Sequence, residues 1–365
     1  MRDNNRMKKH IILGGAGFIG SHLCDALVAV GDHVVCYDNL TTGRSENISA
    51  VKEAGAWSSQ SPAPMRPPWK RFEFMEGDVR DAPRLGWNGA LERFREFDVV
   101  WNLACPASPP AYQADPIGTL MTCTVGTKNA LDLARLCGPQ TVVVQASTSE
   151  VYGDPLQHPQ EESHWGNVNP RGPRSCYDEG KRAAEALCFD YRRVYGTDVR
   201  VARIFNTYGP RMRADDGRVV SNFIVQALRG EKLTIYGDGH QTRSFCYVSD
   251  LVSGLIALGT SVWTGPGPWF DDPINLGNPV ECNLNTLAMR ILELTGRVPA
   301  DISSYEPWWP AAIDRRPLPV DDPCRRRPDI TRALKILGWT PKVELEQGLQ
   351  STIEHFRKEL SHANA

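Results

Sequence analysis

Six short apolar runs, each bounded by turn residues, alternate with longer helical patterns through the first two hundred residues. The runs are "HIILGG" (10–15), "HVVCYD" (33–38), "FEFMEGD" (72–78), "FDVVWNLA" (97–104), "TVVVQAS" (141–147) and "VRVARIF" (199–205). Near-continuous apolarity suits a strand whose two faces are both covered, as in a parallel sheet. Helical patterns at 18–30, 83–95, 116–137 and 176–195 separate the runs. The alternation predicts an α/β fold over residues 1–206: a Rossmann-type doubly wound parallel sheet. Beyond about 206 the pattern loosens. Helices are expected at 217–229, 249–259 and 283–296, and the chain is expected to return to the sheet around 246–280. Residues 207–365 should form mainly a smaller C-terminal substrate-binding domain. There Leu345, Leu349, Ile353, Phe356 and Leu360 give the last helix an apolar face.

The first strand runs into "GGAGFIGSH" (14–22), which then opens a helix. Gly15, Gly17 and Gly20 match Gly-x-Gly-x-x-Gly, and Gly14, Gly17 and Gly20 match the variant with two residues between each pair. Glycines there permit a tight turn and let backbone N–H groups approach a pyrophosphate at the helix N-terminus. Asp38 ends the second strand, where a carboxylate accepts from a ribose 2′-OH and repels a 2′-phosphate. The pattern therefore predicts NAD rather than NADP, with Arg44 on the rim. Phe18 and Ile19 in the loop, Asn39 after Asp38, and Asp78 with Val79 after the third strand complete the expected cofactor set. For Asp78, capping a helix and meeting the adenine edge are both open.

"SCYDEGKR" (175–182) puts Tyr177 and Lys181 four apart, one above the other on a helix face. A free phenol has a pKa of about 10, so a tyrosine base near pH 7 needs about 4 kcal/mol of differential stabilisation. Lys181 supplies one positive charge and an oxidised nicotinamide supplies another. "STSEVYG" (147–153) follows the fifth strand at the carboxyl edge, where open α/β sheets bind ligands. Its Thr148 hydroxyl can bond the substrate oxygen that Tyr177 deprotonates. Thr148, Tyr177 and Lys181 thus form a hydride-transfer set.

Bulk properties narrow the alternatives. A formal net charge of -2 gives no reason to expect nucleic acid or an anionic membrane as partner. No stretch approaches the roughly 18 apolar residues of a membrane span, and "MRDNNRMKKH" leads into no signal-type core. A cytoplasmic protein is expected. The ten cysteines include no C-x-x-C and read as reduced, and no metal-ligand spacing occurs among the eight His.

Long blocks carry a resemblance: "NLACPASPPAYQADPI", "STSEVYGDP", "HPQEESHWGNVNPRGPRSCYDEGKR", "ARIFNTYGPRM", "DDGRVVSNFIVQALRG", "YGDGHQTRSFCYVSDLV" and "DDPCRRRPDI". Over nearly its whole length the chain resembles the extended short-chain dehydrogenases/reductases, and among them the UDP-glucuronate decarboxylases. The resemblance implies NAD-dependent oxidation at sugar C4, loss of CO₂ from the 4-keto acid and return of the hydride. It implies catalytic roles for Thr148, Glu150, Tyr177, Lys181 and Arg326, and contacts to a UDP-sugar from Asn206, Arg211, Asn222, Tyr236 and Arg243. It also implies a homodimer built on the helices near 116–137 and 176–195, with Leu120, Leu131, Leu187 and Phe189 among possible contacts, some of which must face the sheet. A 4,6-dehydratase, a 4-epimerase and a catalytically silent NAD-binding sensor are the alternatives. The dehydratases carry Asp-Glu after the Thr, whereas this chain has Ser149-Glu150. Departures from the family pattern are Cys105, where Ser or Ala is usual, Arg171, and Pro/Trp-rich loops at 56–70, 260–273 and 305–323. Trp308–Trp309 reads as loop packing rather than a uridine stack.

Overall fold

The computed structural model describes residues 6–55, 71–81, 96–262, 271–298, 311–318, 321 and 325–363. Seven parallel strands form the central sheet: β1 (Lys9–Leu13), β2 (His33–Asp38), β3 (Phe72–Glu76), β4 (Val99–Asn102), β5 (Val142–Thr148), β6 (Asp198–Ile204) and, in order along the chain, β11 (Ile274–Leu276). Their spatial order is β11-β6-β5-β4-β1-β2-β3, so the direction of winding reverses beside β1. Every residue of β2, β4 and β5 is buried, which explains why the runs lack polar alternation. Neighbouring residues serve opposite faces. Ile12 joins the core that holds α1 (Phe18–Ala29) and α8 (Val248–Thr260). Ile11 and Leu13 join the core under α5 (Thr127–Cys137) and α6 (Ser175–Tyr195).

The six expected strands are present. The helix expected over 116–137 is instead α4 (Pro116–Met121), a π-turn (Thr122–Gly126) and α5. A π-turn adds a residue to the turn and shifts the side chains that follow it. The close packing it makes is with α6: a Cβ added to Gly180 would lie 3.0 Å from Cys123 Cβ. Helix α6 stops at Gly196, whose φ of +68° suits a left-handed C-cap. The helix expected over 83–95 lies outside the described residues, as do Trp308, Trp309 and most of the three long loops.

A second core gathers α7 (Val219–Leu228), β8 (Leu233–Tyr236), α9 (Leu284–Leu294), β13 (Ile313–Arg316) and the last helix, α11 (Leu345–Ala363). Leu349, Ile353 and Phe356 of the last helix are fully buried in it, as their spacing predicts. A short helix, α10 (Thr331–Leu337), precedes it. Beside this core a three-stranded sheet in the order β12 (Glu281–Asn283), β9 (Thr242–Ser244), β14 (Arg325–Arg326) pairs Arg326 with Arg243. Among the described residues no helix is long and apolar enough to cross a membrane.

Candidate active site

A cleft of about 1120 Å³ runs along the carboxyl edge of the sheet and faces the second core. Ligands of open α/β sheets bind at such an edge, where the winding reverses. One wall is backbone. Gly14 has a φ of +81°, and a Cβ there would meet Ala104 N at 2.8 Å; a Cβ on Gly20 would meet Gly14 O at 2.2 Å. Among the described residues no side chain caps α1; Gly17 N donates within the loop to Gly14 O (3.3 Å), and the next N–H groups, at Phe18, Ile19 and Gly20, belong to the helix start that lines the cleft. Asp38 stiffens the loop: it accepts from Ala16 N (2.9 Å) and Leu40 N (2.8 Å). Burial pushes its carboxyl up, and the backbone N–H groups of Leu40, Ala16 and Gly17 pull it back. Arg44 points to Glu359 of α11 (2.5 Å). Asp78 takes Arg80 and Asn39, and Arg80 holds it below the usual carboxylate range. Its neighbour Val79 and Asn39 line the cleft. Tight glycines, an uncapped helix start and a carboxylate at the end of β2 fit NAD.

At the middle of the cleft, β5 delivers Thr148 and the first turns of α6 deliver Tyr177 and Lys181. All three are buried. Lys181 Nζ donates to Ala146 O (2.8 Å) and sits 5.7 Å from the centre of the Tyr177 ring. Burial drives the Tyr177 phenol well above its ordinary value, while the hydrogen bond from Thr148 pulls the other way. The Tyr112 ring stacks on Tyr177 at 5.0 Å and 6°, and its buried hydroxyl has no hydrogen-bond partner among the described residues. Tyr112 lies in a quoted block yet carried no signal separating it from loop aromatics.

Glu150 begins the turn after β5. Arg326 grips both of its oxygens (2.8 and 2.9 Å), and Arg174 takes Oε2 at 2.8 Å. A guanidinium fork on a carboxylate is among the strongest of polar pairs. Sequence reading missed Arg174, though it stands one helical turn before Tyr177. Asp178, after Tyr177, is buried, and its Oδ1 has no hydrogen-bond partner among the described residues. Burial and then Glu150 push its carboxyl up to about 8, against Arg174 and Arg326.

The far wall is made of side chains from the second half of the chain. Asn206 Oδ1 accepts from Arg326 (3.4 Å). Arg243 is buried beside Arg326 on the neighbouring strand. Arg211, at a φ of +69°, pairs with Asp25 (2.6 Å). Asn222 Nδ2 donates to Gly217 O (3.0 Å), and Tyr236 at the end of β8 is partly exposed. All five line the cleft.

This geometry agrees with what comparison finds. Residues 10–275 match the NAD dependent epimerase/dehydratase family. UDP-glucuronic acid decarboxylase 1 of Xenopus tropicalis is 48% identical over 355 residues, 97% of this chain and 73% of that protein. UDP-glucuronic acid decarboxylase 4 of Arabidopsis thaliana is 49% identical over 348 residues, 95% of this chain and 68% of that protein. Among solved structures, UDP-glucose 4-epimerase of Thermotoga maritima superposes with a TM-score of 0.78 at 28% identity, covering 96% of this chain and 99% of that one. The UDP-glucuronic acid 4-epimerase of Bacillus cereus, solved with UDP-glucuronic acid and NAD, gives 0.75 at 25% identity, covering 96% and 99%. The chain belongs to the NAD dependent epimerase/dehydratase family and, within it, to the UDP-glucuronic acid decarboxylases.

Proposed function

We propose that the protein decarboxylates UDP-glucuronate to UDP-xylose, with NAD held and recycled. The observation that carries this reading is the Glu150 carboxylate gripped by Arg174 and Arg326 beside Thr148, Tyr177 and Lys181. When bound, NAD⁺ accepts the C4 hydrogen as hydride, returns it at the end of the turnover and adds positive charge near the phenol. Gly14, Gly17 and Gly20 take its pyrophosphate, Asp38 and Asn39 its adenosine ribose, and Lys181 completes the cradle. Tyr177 removes the proton of the C4 hydroxyl, and Thr148 exchanges its bond with the phenol for one to that oxygen. In the 4-keto sugar the C6 carboxylate is β to a ketone, so breaking C5–C6 sends the electron pair into an enolate. Tyr177, now protonated, and Thr148 donate to that oxyanion. C5 takes its proton from water on the Glu150 side, and Tyr177 returns its own to O4.

Glu150 alone would repel the substrate carboxylate. Two guanidinium groups around one carboxylate leave the cluster net positive, so Arg326 and Arg174 reverse that repulsion. Arg243 and Arg211 serve the diphosphate, with Asn206, Asn222 and Tyr236 beside them. Dehydration would require an acid at the position of Ser149 to expel a C6 hydroxyl. Incubation with UDP-glucuronate and NAD⁺, followed by NMR, should show UDP-xylose and CO₂. The reading is wrong if UDP-glucose is oxidised or dehydrated as fast as UDP-glucuronate loses CO₂.

The functional unit is a homodimer. Ile117, Leu120 and Met121 of α4, Leu136 of α5, and Val194 and Tyr195 of α6 are exposed apolar side chains on the helices that would pair. Leu131 is fully buried against the sheet, so it is not available to a partner. A sedimentation mass equal to one chain at micromolar concentration would refute the dimer.

A further inference from the structure

Two thiols meet beside the catalytic tyrosine. Cys105, on the loop after β4, lines the cleft; Cys123, in the π-turn, is buried beneath it. Their sulfurs are 3.3 Å apart. The Cys105 sulfur also lies 3.2 Å from Pro106 O, an alternative acceptor for its proton. Each cysteine sits on a segment that touches the machinery. Ala104, next to Cys105, packs on Gly14 of the dinucleotide loop, and Cys123 packs on Gly180, next to Lys181. We propose that Cys105 and Cys123 form a redox-active dithiol, and that its oxidation to a disulfide reversibly slows the enzyme. The proposal takes the cleft to be the active site read above.

The pair loses its first proton readily. A hydrogen bond from Cys105 lowers the Cys123 thiol to about 7, and the Lys181 charge assists; the second proton is held tightly because two adjacent thiolates repel. The charge so formed rests on Cys123 with Cys105 donating to it, and passage of the shared proton across the 3.3 Å gap to Cys123 makes the cleft-facing Cys105 sulfur the nucleophile. It attacks one sulfur of a low-molecular-weight disulfide; the S–S bond of that reagent breaks, and one thiolate leaves. Cys123 then gives up its proton and attacks the Cys105 sulfur, expelling the second thiolate. Two protein thiols are oxidised and one reagent disulfide is reduced to two thiols. Closing the bond draws the π-turn and the β4 loop together, which displaces Gly14 or Lys181 from the geometry that NAD requires.

The test is a titration of the purified enzyme with oxidised glutathione, a linear disulfide whose two halves leave as separate thiolates. Cys105 and Cys123 share the tryptic peptide 96–128. The expected result is a loss of about 2 Da from that peptide, in step with at least a tenfold fall in CO₂ release, both reversed by reduced dithiothreitol. Cys123→Ser should keep the basal rate and lose the response, Cys105→Ser should also lose the response, and Cys176→Ser should still respond. The proposal is overturned if the peptide keeps its mass, if it is oxidised without loss of rate, or if Cys123→Ser is inhibited like the parent. The mass readout does not depend on which reaction the cleft performs.

Discussion

The two walls of the cleft are built by different means. The dinucleotide wall is contiguous: residues 14–20 and 38–39 make it almost entirely from backbone shape and N–H groups, with Asp38 bonded back into the loop. The sugar wall is assembled from side chains far apart in sequence. Arg326 reaches Glu150 across 176 residues, Arg211 reaches Asp25 across 186, and Arg243 meets Arg326 only because β9 and β14 pair. The backbone wall tolerates many side chains but no extra Cβ. The side-chain wall tolerates small backbone shifts better than loss of charge: removing Arg326 takes away the two-point grip on Glu150 and leaves Arg174 as its remaining cation. On the proposed function, substrate choice is assigned to the second wall and cofactor retention to the first.

The contrast can be broken at its centre, where both walls meet. Tyr177→Phe keeps the ring stack on Tyr112 and removes only the base. CO₂ release should fall by about 10³-fold or more while NAD stays bound, as measured by cofactor retained after gel filtration. A Phe variant with near-normal turnover would show that another group takes the proton. On the sugar wall, Arg326→Ala should cut decarboxylation by about 10²-fold or more, in keeping with the roughly 3–5 kcal/mol cost of breaking a buried pair (about 10²–10³·⁵-fold), and leave NAD affinity within a few-fold. Equal losses in both would mean that the walls are not separable. On the dinucleotide wall, Gly20→Ala drives a Cβ to within 2.2 Å of Gly14 O. Overpacking of this kind costs about 1–3 kcal/mol, so NAD should bind about 10–100-fold more weakly by calorimetry, with the rate at saturating NAD much less changed.

Legibility in the sequence follows the same division. The strands of the sheet were readable because burial on both faces leaves nothing but apolar residues, and the glycine loop was readable because its constraint is local. Thr148, Tyr177 and Lys181 could be placed by a strand end and one helical turn. Glu150 and Arg326 came from resemblance alone, since nothing local says that a turn after β5 meets a two-residue strand near residue 326. Arg174 was missed for that reason: its partner is fixed by tertiary contact, and by spacing it is an ordinary helix-start arginine. The π-turn was missed because its residues have the periodicity of a continuous helix. The extra residue goes with a tertiary feature, the close contact of Cys123 with Gly180 on another helix.

The smallest effect is expected where the two walls share a charge. Asp178 lies in the first turn of α6, behind the Glu150 cluster, with its carboxyl raised to about 8 by burial and by Glu150. In the unfolded chain an Asp titrates near 3.9, so between about pH 4 and pH 8 the folded state holds a proton that the unfolded state has lost. Stability falls with pH wherever the folded state binds more protons, so the contribution of Asp178 is fully present below about pH 4 and is lost as pH rises toward 8. Asp178→Asn keeps the shape and cannot ionise. Its melting temperature should exceed that of the parent by a few degrees at pH 8, at about 2–4 °C per kcal/mol, and by less at pH 5. If Asp178 is instead an ionised partner of Arg174, the sign reverses: the Asn variant melts lower at pH 8, and the charge that balances Glu150 is shared between two carboxylates and two guanidinium groups. In that case the cluster is neutral before substrate arrives, and its pull on the C6 carboxylate must come from Arg243 or from the cofactor's own charge.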